Sequence, residues 1–190
     1  VPYIERNDDH RELINLPRFA ADLAPLIGGT LLPAGDYPRE RQEIKVGDDV
    51  IELYANDWKK RVRATISAPD VKWGDRNTYD PKHRTESAAV NPDGRSIEAI
   101  ARDIKRRVIE PSQEPLRLQR EYARQQHANR ASIVERAAAM KARMPSLTVR
   151  VNEREQNASL SDSGDRYVHA ILHADGGVRI ERIGNVSTEQ

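Results

Sequence analysis

Leu16, Phe19, Ala20, Leu23, Leu26 and Ile27 recur at helical spacing and predict a short helix near the start of the chain. Pro17 suits a first helical position and Gly28-Gly29 a C-terminal stop, while Pro25 should disturb the last turn. The apolar period then drops to two. Residues 42–46, 50–55 and 59–68 read as three strands, with turns at Gly47-Asp48-Asp49 and Asn56-Asp57. A two-residue turn at Asn56-Asp57 sets Ile51 opposite Val62, Leu53 opposite Lys60 and Ala55 opposite Trp58, and the first turn sets Val46 opposite Ile51. Ile44, Val46, Ile51, Leu53, Val62, Ala64 and Ile66 then share one face, which the helix should cover. Lys45, Glu52, Lys59, Arg61 and Arg63 fall on the face expected to meet water.

From Pro69 to Gly94 the pattern is irregular and rich in Pro and turn formers, with a fourth strand expected at Glu86–Asn91. Ser96 then fits an N-cap, and Ile97, Ile100, Ala101, Ile104 and Val108 make a helical core stripe. Pro111-Ser112 is expected to break this helix, and a second one should run from about Pro115 to Met144. Between Gln119 and Arg130 its only apolar residues are Tyr122, Ala123 and Ala128. A helix so polar needs something beyond core burial to hold it, and packing on a second chain through Tyr122, Gln126 and Arg130 is the expectation.

The last block returns to alternation. Leu147, Val149 and Val151 form one strand, and Arg166–Ala174 and Val178–Ile183 a hairpin closed by Asp175-Gly176-Gly177. A three-residue loop sets Ala174 opposite Val178, Leu172 opposite Ile180 and Ala170 opposite Arg182. Val168, Ala170, Leu172, Ala174, Val178 and Ile180 then share an apolar face, and Tyr167, His169, His173, Arg179 and Glu181 point outward. The pattern therefore predicts an α+β fold: two antiparallel β-meanders separated by a pair of helices, with the N-terminal helix packed on the first sheet. The blocks are 1–94 (helix, meander and long loop), 95–145 (basic helical pair) and 146–190 (second meander), whether or not they form one compact domain.

Composition narrows the chemistry. Leu, Ile, Val and Phe number 40 of 190 residues, so the core should be small and the surface well solvated. The absence of Cys excludes a disulfide scaffold, thiol catalysis and the usual zinc modules. No apolar run approaches a membrane span and no charged-then-apolar leader opens the sequence, which leads to the expectation of a cytoplasmic protein without a membrane partner. There is no G-x-S-x-G elbow and no phosphate-binding glycine loop, so no catalytic residue and no cofactor are assigned. His169-x-x-x-His173 on a strand would separate the rings by roughly 13 Å, too far to share an ion. Asp8-Asp9-His10 reads as turn-forming residues before a helix rather than a cation site, and no metal is assigned.

Charge is layered along the chain. Residues 1–94 carry 14 basic and 17 acidic groups, residues 95–143 carry 12 and 6, and residues 144–190 carry 5 and 7. The basic excess therefore sits on the helices. Arg102, Lys105 and Arg106 fall mainly away from the core stripe, while Arg117, Arg120 and Arg124 form a ridge at i, i+3, i+7, and Arg130 is a further cation of the same helix. Guanidinium ridges suit phosphates or carboxylates, although Glu114, Glu121 and Glu135 can neutralise part of this one. A secondary candidate is the irregular stretch, where Trp73, Tyr79, Lys82 and Arg84 could clamp a single strand or simply pin the loop to the body.

Glu86-Ser87-Ala88-Ala89-Val90-Asn91, followed by Arg95-Ser96-Ile97-Glu98-Ala99-Ile100-Ala101-Arg102-Asp103-Ile104-Lys105-Arg106-Arg107, resembles a strand-to-helix segment of small uncharacterised accessory proteins of phages and plasmids. The resemblance covers roughly an eighth of the chain and implies an accessory protein of a mobile element, a class rich in inhibitors and nucleic-acid adaptors. The leading reading is a non-enzymatic binding protein that engages a macromolecular partner, or another copy of itself, through its Arg-rich helices. The alternatives are a nucleic-acid-binding protein contacting phosphates through the same helices, and an enzyme using carboxylate and His chemistry.

Overall fold

A computed structural model describes residues 3–6, 12–77, 79–152, 157–163, 166–173 and 177–185. The chain is α+β with antiparallel sheets, and its contacts divide it into two compact units, Val1–Tyr122 and Ala123–Gln190. That division falls inside the long helix.

The first unit opens with a short hairpin, β1 (Ile4–Arg6) and β2 (Glu12–Ile14), which the pattern does not announce. Helix α1 (Leu16–Leu26) follows, capped by Asn15, whose side chain accepts from the Arg18 N–H. It ends in a Schellman motif: Gly29 donates to the Ala24 carbonyl at 2.8 Å and Gly28 to the Pro25 carbonyl at 3.2 Å. Gly28 takes φ +76°, which only glycine adopts without cost, and Pro25 falls in the last turn as expected. Leu16, Phe19, Ala20, Leu23 and Ala24 are buried, each large side chain contributing about 1.5–3 kcal/mol.

The five-stranded sheet has the order β3-β4-β5-β6-β7, built from Thr30–Leu31, Arg41–Val46, Asp49–Asn56, Arg61–Ser67 and Ser87–Val90. The expected fourth strand is thus present as β7. The register differs from the sequence expectation. Ile51 faces Ile66, Leu53 faces Ala64 and Ala55 faces Val62, and Ile44 rather than Val46 faces Ile51. The cause is the second turn, where Asp57–Lys59 form a 3-10 turn and Lys60 takes φ +48°. Trp58 therefore leaves the apolar face altogether. Both slips are even, so the side chains that remain in the strands keep their expected side. Ile44, Ile51, Leu53, Val62, Ala64 and Ile66 are all buried, while Val46 is half-buried; Lys45, Arg61 and Arg63 are exposed and Glu52 is half-buried.

Helix α2 (Ile97–Ile104) is capped by Ser96 and buries Ile100, Ala101 and Ile104. It lies beside α1, and the next segment, Lys105–Ile109, packs on β6 and β7. The expected break at Pro111-Ser112 does not occur. Pro111 has no N–H for the Arg107 carbonyl, and its ring would crowd that oxygen in a regular helix. The turn before it opens instead into a π segment, Lys105–Ile109, with the Glu110 N–H donating to the Lys105 carbonyl. Helix α3 (Glu110–Arg143) then runs on and contributes residues to both units.

The second unit contains the end of α3 and a four-stranded sheet of order β11-β10-β9-β8: Thr148–Asn152, Asn157–Ser163, Arg166–His173 and Val178–Asn185 for β8 to β11. Ile133 and Ala137 of α3 pack with Leu147, Ala158, Leu160, Ala170 and Leu172. Strand β9 is the element the pattern missed. The β10–β11 register sets Leu172 opposite Val178 and Ala170 opposite Ile180, two residues from expectation, and again an even slip. A bulge between His169 and Ala170 then puts Arg182 opposite His169 instead of Ala170. Val178 and Ile180, expected in the core, are 50 % and 59 % exposed because β11 is the sheet edge. Ala174 and the Asp175-Gly176 turn, like Asp8-Asp9-His10, lie outside the described residues. Among the described residues no helix is long and apolar enough to cross a membrane.

Candidate functional site: the helical cation surface

Opposite the buried stripe of α2, Arg102, Lys105 and Arg106 are exposed at i, i+3, i+4, as the sequence predicts. The geometry adds a feature the stripe does not reveal. Asp103, only 16 % exposed, gathers three guanidinium groups: Arg95 at 3.1 Å, Arg106 at 3.1 Å and Arg107 at 3.7 Å. The hydrogen bond from Arg95, together with the charges of Arg95, Arg107 and Arg106, holds its carboxyl below the usual aspartate range against the opposing effect of burial. Arg95 and Arg107 therefore belong to this surface, though neither stands among the residues chosen by helical spacing. The signal for Arg107 was present in sequence as an i, i+4 pair with Asp103. Arg95 precedes the helix and needed the fold.

The ridge at Arg117, Arg120 and Arg124 is not one surface. Arg117 is held between Glu114, at 2.6 Å, and Glu121, which raises its pKa further and cancels its charge locally. Arg120 turns inward. It donates to both oxygens of Asp70 at 3.1 Å, to Asp49 at 2.5 Å and to the Asp48 carbonyl at 3.2 Å. Burial opposes its charge, but the Asp70 and Asp49 hydrogen bonds outweigh that and raise its pKa. Arg124 is exposed, whereas Gln126 and Arg130 are half-buried on α3.

Those inward contacts hold the polar start of this stretch within the first unit. Leu116 and Gln119 are buried, and the Gln119 amide donates to the His83 carbonyl. Tyr122 meets the His83 ring edge-on at 5.8 Å, so this tyrosine packs inside its own unit. The irregular loop is likewise pinned. Val71 and Asp75 are buried, Arg76 donates to the Ala68 and Val71 carbonyls, and the Glu86 N–H donates to Ser112 Oγ at 2.9 Å. Tyr79 is 92 % exposed, and Lys82 and Arg84 are exposed. Trp73 starts a 3-10 turn, Trp73–Asp75.

In the second unit His169 and His173 lie on the outer side of β10, and His169 Nδ1 sits 3.2 Å from Glu181. Among the described residues no group of three or more His, Asp or Glu is placed to hold a metal ion. Trp58, expected opposite Ala55, is instead 96 % exposed at the β5–β6 turn. No family model, no curated protein and no solved structure matches the chain.

Proposed function

We propose that the chain is a non-enzymatic accessory protein that binds an acidic macromolecular partner through the helical surface from Arg95 to Arg107. The observation that supports this is the clustering of Arg95, Arg106 and Arg107 on the single carboxylate of Asp103, with Arg102 and Lys105 exposed alongside. Five cations there meet two carboxylates, Glu98 and Asp103. A patch with such an excess attracts an acidic surface and steers its approach. The reading keeps Arg102, Lys105 and Arg106 and takes the weight off Arg117 and Arg120, whose charges are engaged within the fold. The resemblance of residues 86–107 to phage and plasmid accessory proteins bears on the same segment. It makes an inhibitor or adaptor of a mobile genetic element the biological form of the proposal.

Nucleic acid is the second reading of this surface, because the guanidinium groups of Arg95, Arg106 and Arg107 carry donors that match phosphate oxygens. The test compares binding to polyglutamate and to duplex DNA across a salt series, for the native chain and for Arg102→Glu/Lys105→Glu/Arg106→Glu. Salt-sensitive binding to polyglutamate that the triple variant loses supports the proposal, and preference for DNA moves it to the second reading. Retention of neither polyanion at low salt, or unchanged binding by the triple variant, overturns both.

A further inference from the structure

We infer that the β5–β6 turn and the solvent face of the adjoining sheet form a docking surface for single-stranded nucleic acid, with Trp58 as the base-stacking platform. Trp58 is 96 % exposed in the turn Asp57–Lys59. An indole in that state is unusual, because so large an apolar ring normally finds cover in its own fold. The turn is also well tied down. Asn56 Oδ1 accepts from the Lys59 N–H at 2.9 Å, and Asp57 Oδ1 accepts from the Ile14 N–H at 2.8 Å. Lys60 is held at φ +48°, a region that non-glycine residues rarely occupy, and its ammonium pairs with Glu12 on β2. A turn anchored on both sides that nonetheless holds its indole out presents the ring rather than losing it.

Charge supplies the rest of the argument. Between residues 57 and 63 there are four cations against the single carboxylate of Asp57; Glu12 engages Lys60, so Lys59, Arg61 and Arg63 carry the excess. The register lays them out in rows. Arg61 stands opposite Asn56, and one row further from the tip Arg63 stands opposite Tyr54, which in turn faces Arg41. Successive rows are about 6.6 Å apart along the strands. Tyr54 is 37 % exposed, and the Arg41 guanidinium lies 5.6 Å from its ring centroid. The next row carries Glu43 and Glu52, which engage the Arg41 guanidinium at 2.6 and 3.3 Å and repel phosphate, so the cationic path is short and ends at Arg63.

Cations interleaved with exposed aromatic rings are what an unpaired strand requires, since bases stack on rings while the phosphates meet Lys and Arg. A duplex offers no free base faces to Trp58. A protein partner fits less well, because the centre of a protein interface is depleted of charge, whereas Trp58 stands among Asp57, Lys59, Lys60 and Arg61. This surface shares no residue with the Arg95–Arg107 patch and stands independently of the role proposed there.

The test is a fluorescence titration of the full chain with oligothymidylate and oligouridylate about a dozen nucleotides long, alongside a duplex of equal length and anionic phosphatidylserine vesicles, with the affinity of the Trp58 variants read from the anisotropy of dye-labelled oligonucleotides. The expected result is salt-dependent quenching by the single strands, weaker or absent with duplex. Trp58→Ala should weaken single-strand binding about tenfold, as loss of one base–aromatic stack does. Trp58→Phe should recover part of that loss and Arg61→Glu/Arg63→Glu should abolish binding. Absence of single-strand binding at low salt, equal affinity of Trp58→Ala and native chain, or a response to vesicles alone would overturn the inference. Because Trp58 is exposed, its replacement leaves folding intact, which circular dichroism of the variant verifies.

Discussion

The guanidinium of Arg120 reaches across 71 residues of sequence to donate to Asp49 at 2.5 Å, and so joins helix α3 to the start of strand β5. The Asp49 side chain is 9 % exposed and that of Arg120 24 %, which places the pair at the edge of the core. Asp70 completes the arrangement from the irregular loop at 3.1 Å. One side chain thus holds together a helix, a strand and a loop. This explains why a cation at ridge spacing is not available at the surface.

Removing Arg120 leaves the Asp49 carboxylate without a counter-charge in a poorly solvated position. Arg120→Ala should therefore destabilise the first unit by about 2–4 kcal/mol, somewhat less than a fully buried pair because of the remaining exposure. Arg117→Ala, which breaks only exposed pairs with Glu114 and Glu121, should change stability by less than about 0.5 kcal/mol. Urea unfolding followed by tryptophan fluorescence reports this unit, since Trp58 and Trp73 both belong to it. Equal losses for the two variants would contradict the assignment of Arg120 to the core edge.

Gly29 and Gly35 should respond in opposite ways to the same methyl group. A Cβ on Gly29 would lie 2.6 Å from Ile44 Cγ2, 2.7 Å from the Lys45 carbonyl oxygen and 2.9 Å from Val46 Cγ2. The carbonyl belongs to a sheet strand and cannot step aside, so Gly29→Ala should cost about 1–3 kcal/mol. Around Gly35 nothing lies within 4 Å, and its φ is not in the left-handed region. Gly35→Ala should be neutral or should stabilise by about 0.4–1 kcal/mol through the unfolded chain. Denaturation midpoints of the two variants measure the contrast.

Acid should weaken the fold partly through Asp103. Its folded-state pKa lies below the ordinary aspartate value, so the stability it contributes is present above about pH 4 and is lost as pH falls through the lower folded value. Glu98, Glu114 and Glu12 are shifted in the same direction by hydrogen bonds and act in the same window. Asp103→Asn should be less stable than the native chain at pH 7 and should lose less on acidification to about pH 3. Thermal melts across that range give the slope. Parallel pH profiles for the two chains would show that Asp103 is not coupled to its three arginines.

What the sequence determined by itself is side and period. Residues 42–46 and 59–68 alternate strongly enough that every predicted inward residue of those strands except Val46 is buried, even though both registers slipped. A slip of two or four residues is invisible to a period of two, so burial alone fixed the face and not the partner. The Gly28-Gly29 stop and the Ser96 cap were legible for the same reason, since each is set by a local backbone requirement.

The tertiary structure decided everything that depends on which distant group lies opposite. Strand β9 alternates only Ala158 and Leu160 with serines, a signal too thin to read until Ile133 and Leu172 supply the other walls of its pocket. Pro111 looked like a break because a proline cannot donate, yet the π segment before it opens the helix enough to carry the chain through. The candidate site moved for a similar reason. Spacing along a helix places Arg117, Arg120 and Arg124 on one ridge, but it does not show Asp49 and Asp70 waiting under Arg120 or Arg95 folding back onto Asp103. Helical and strand periods are properties of a single backbone segment and can be read one residue at a time. Charge pairing is a property of two segments, and only the folded chain brings the second one into place.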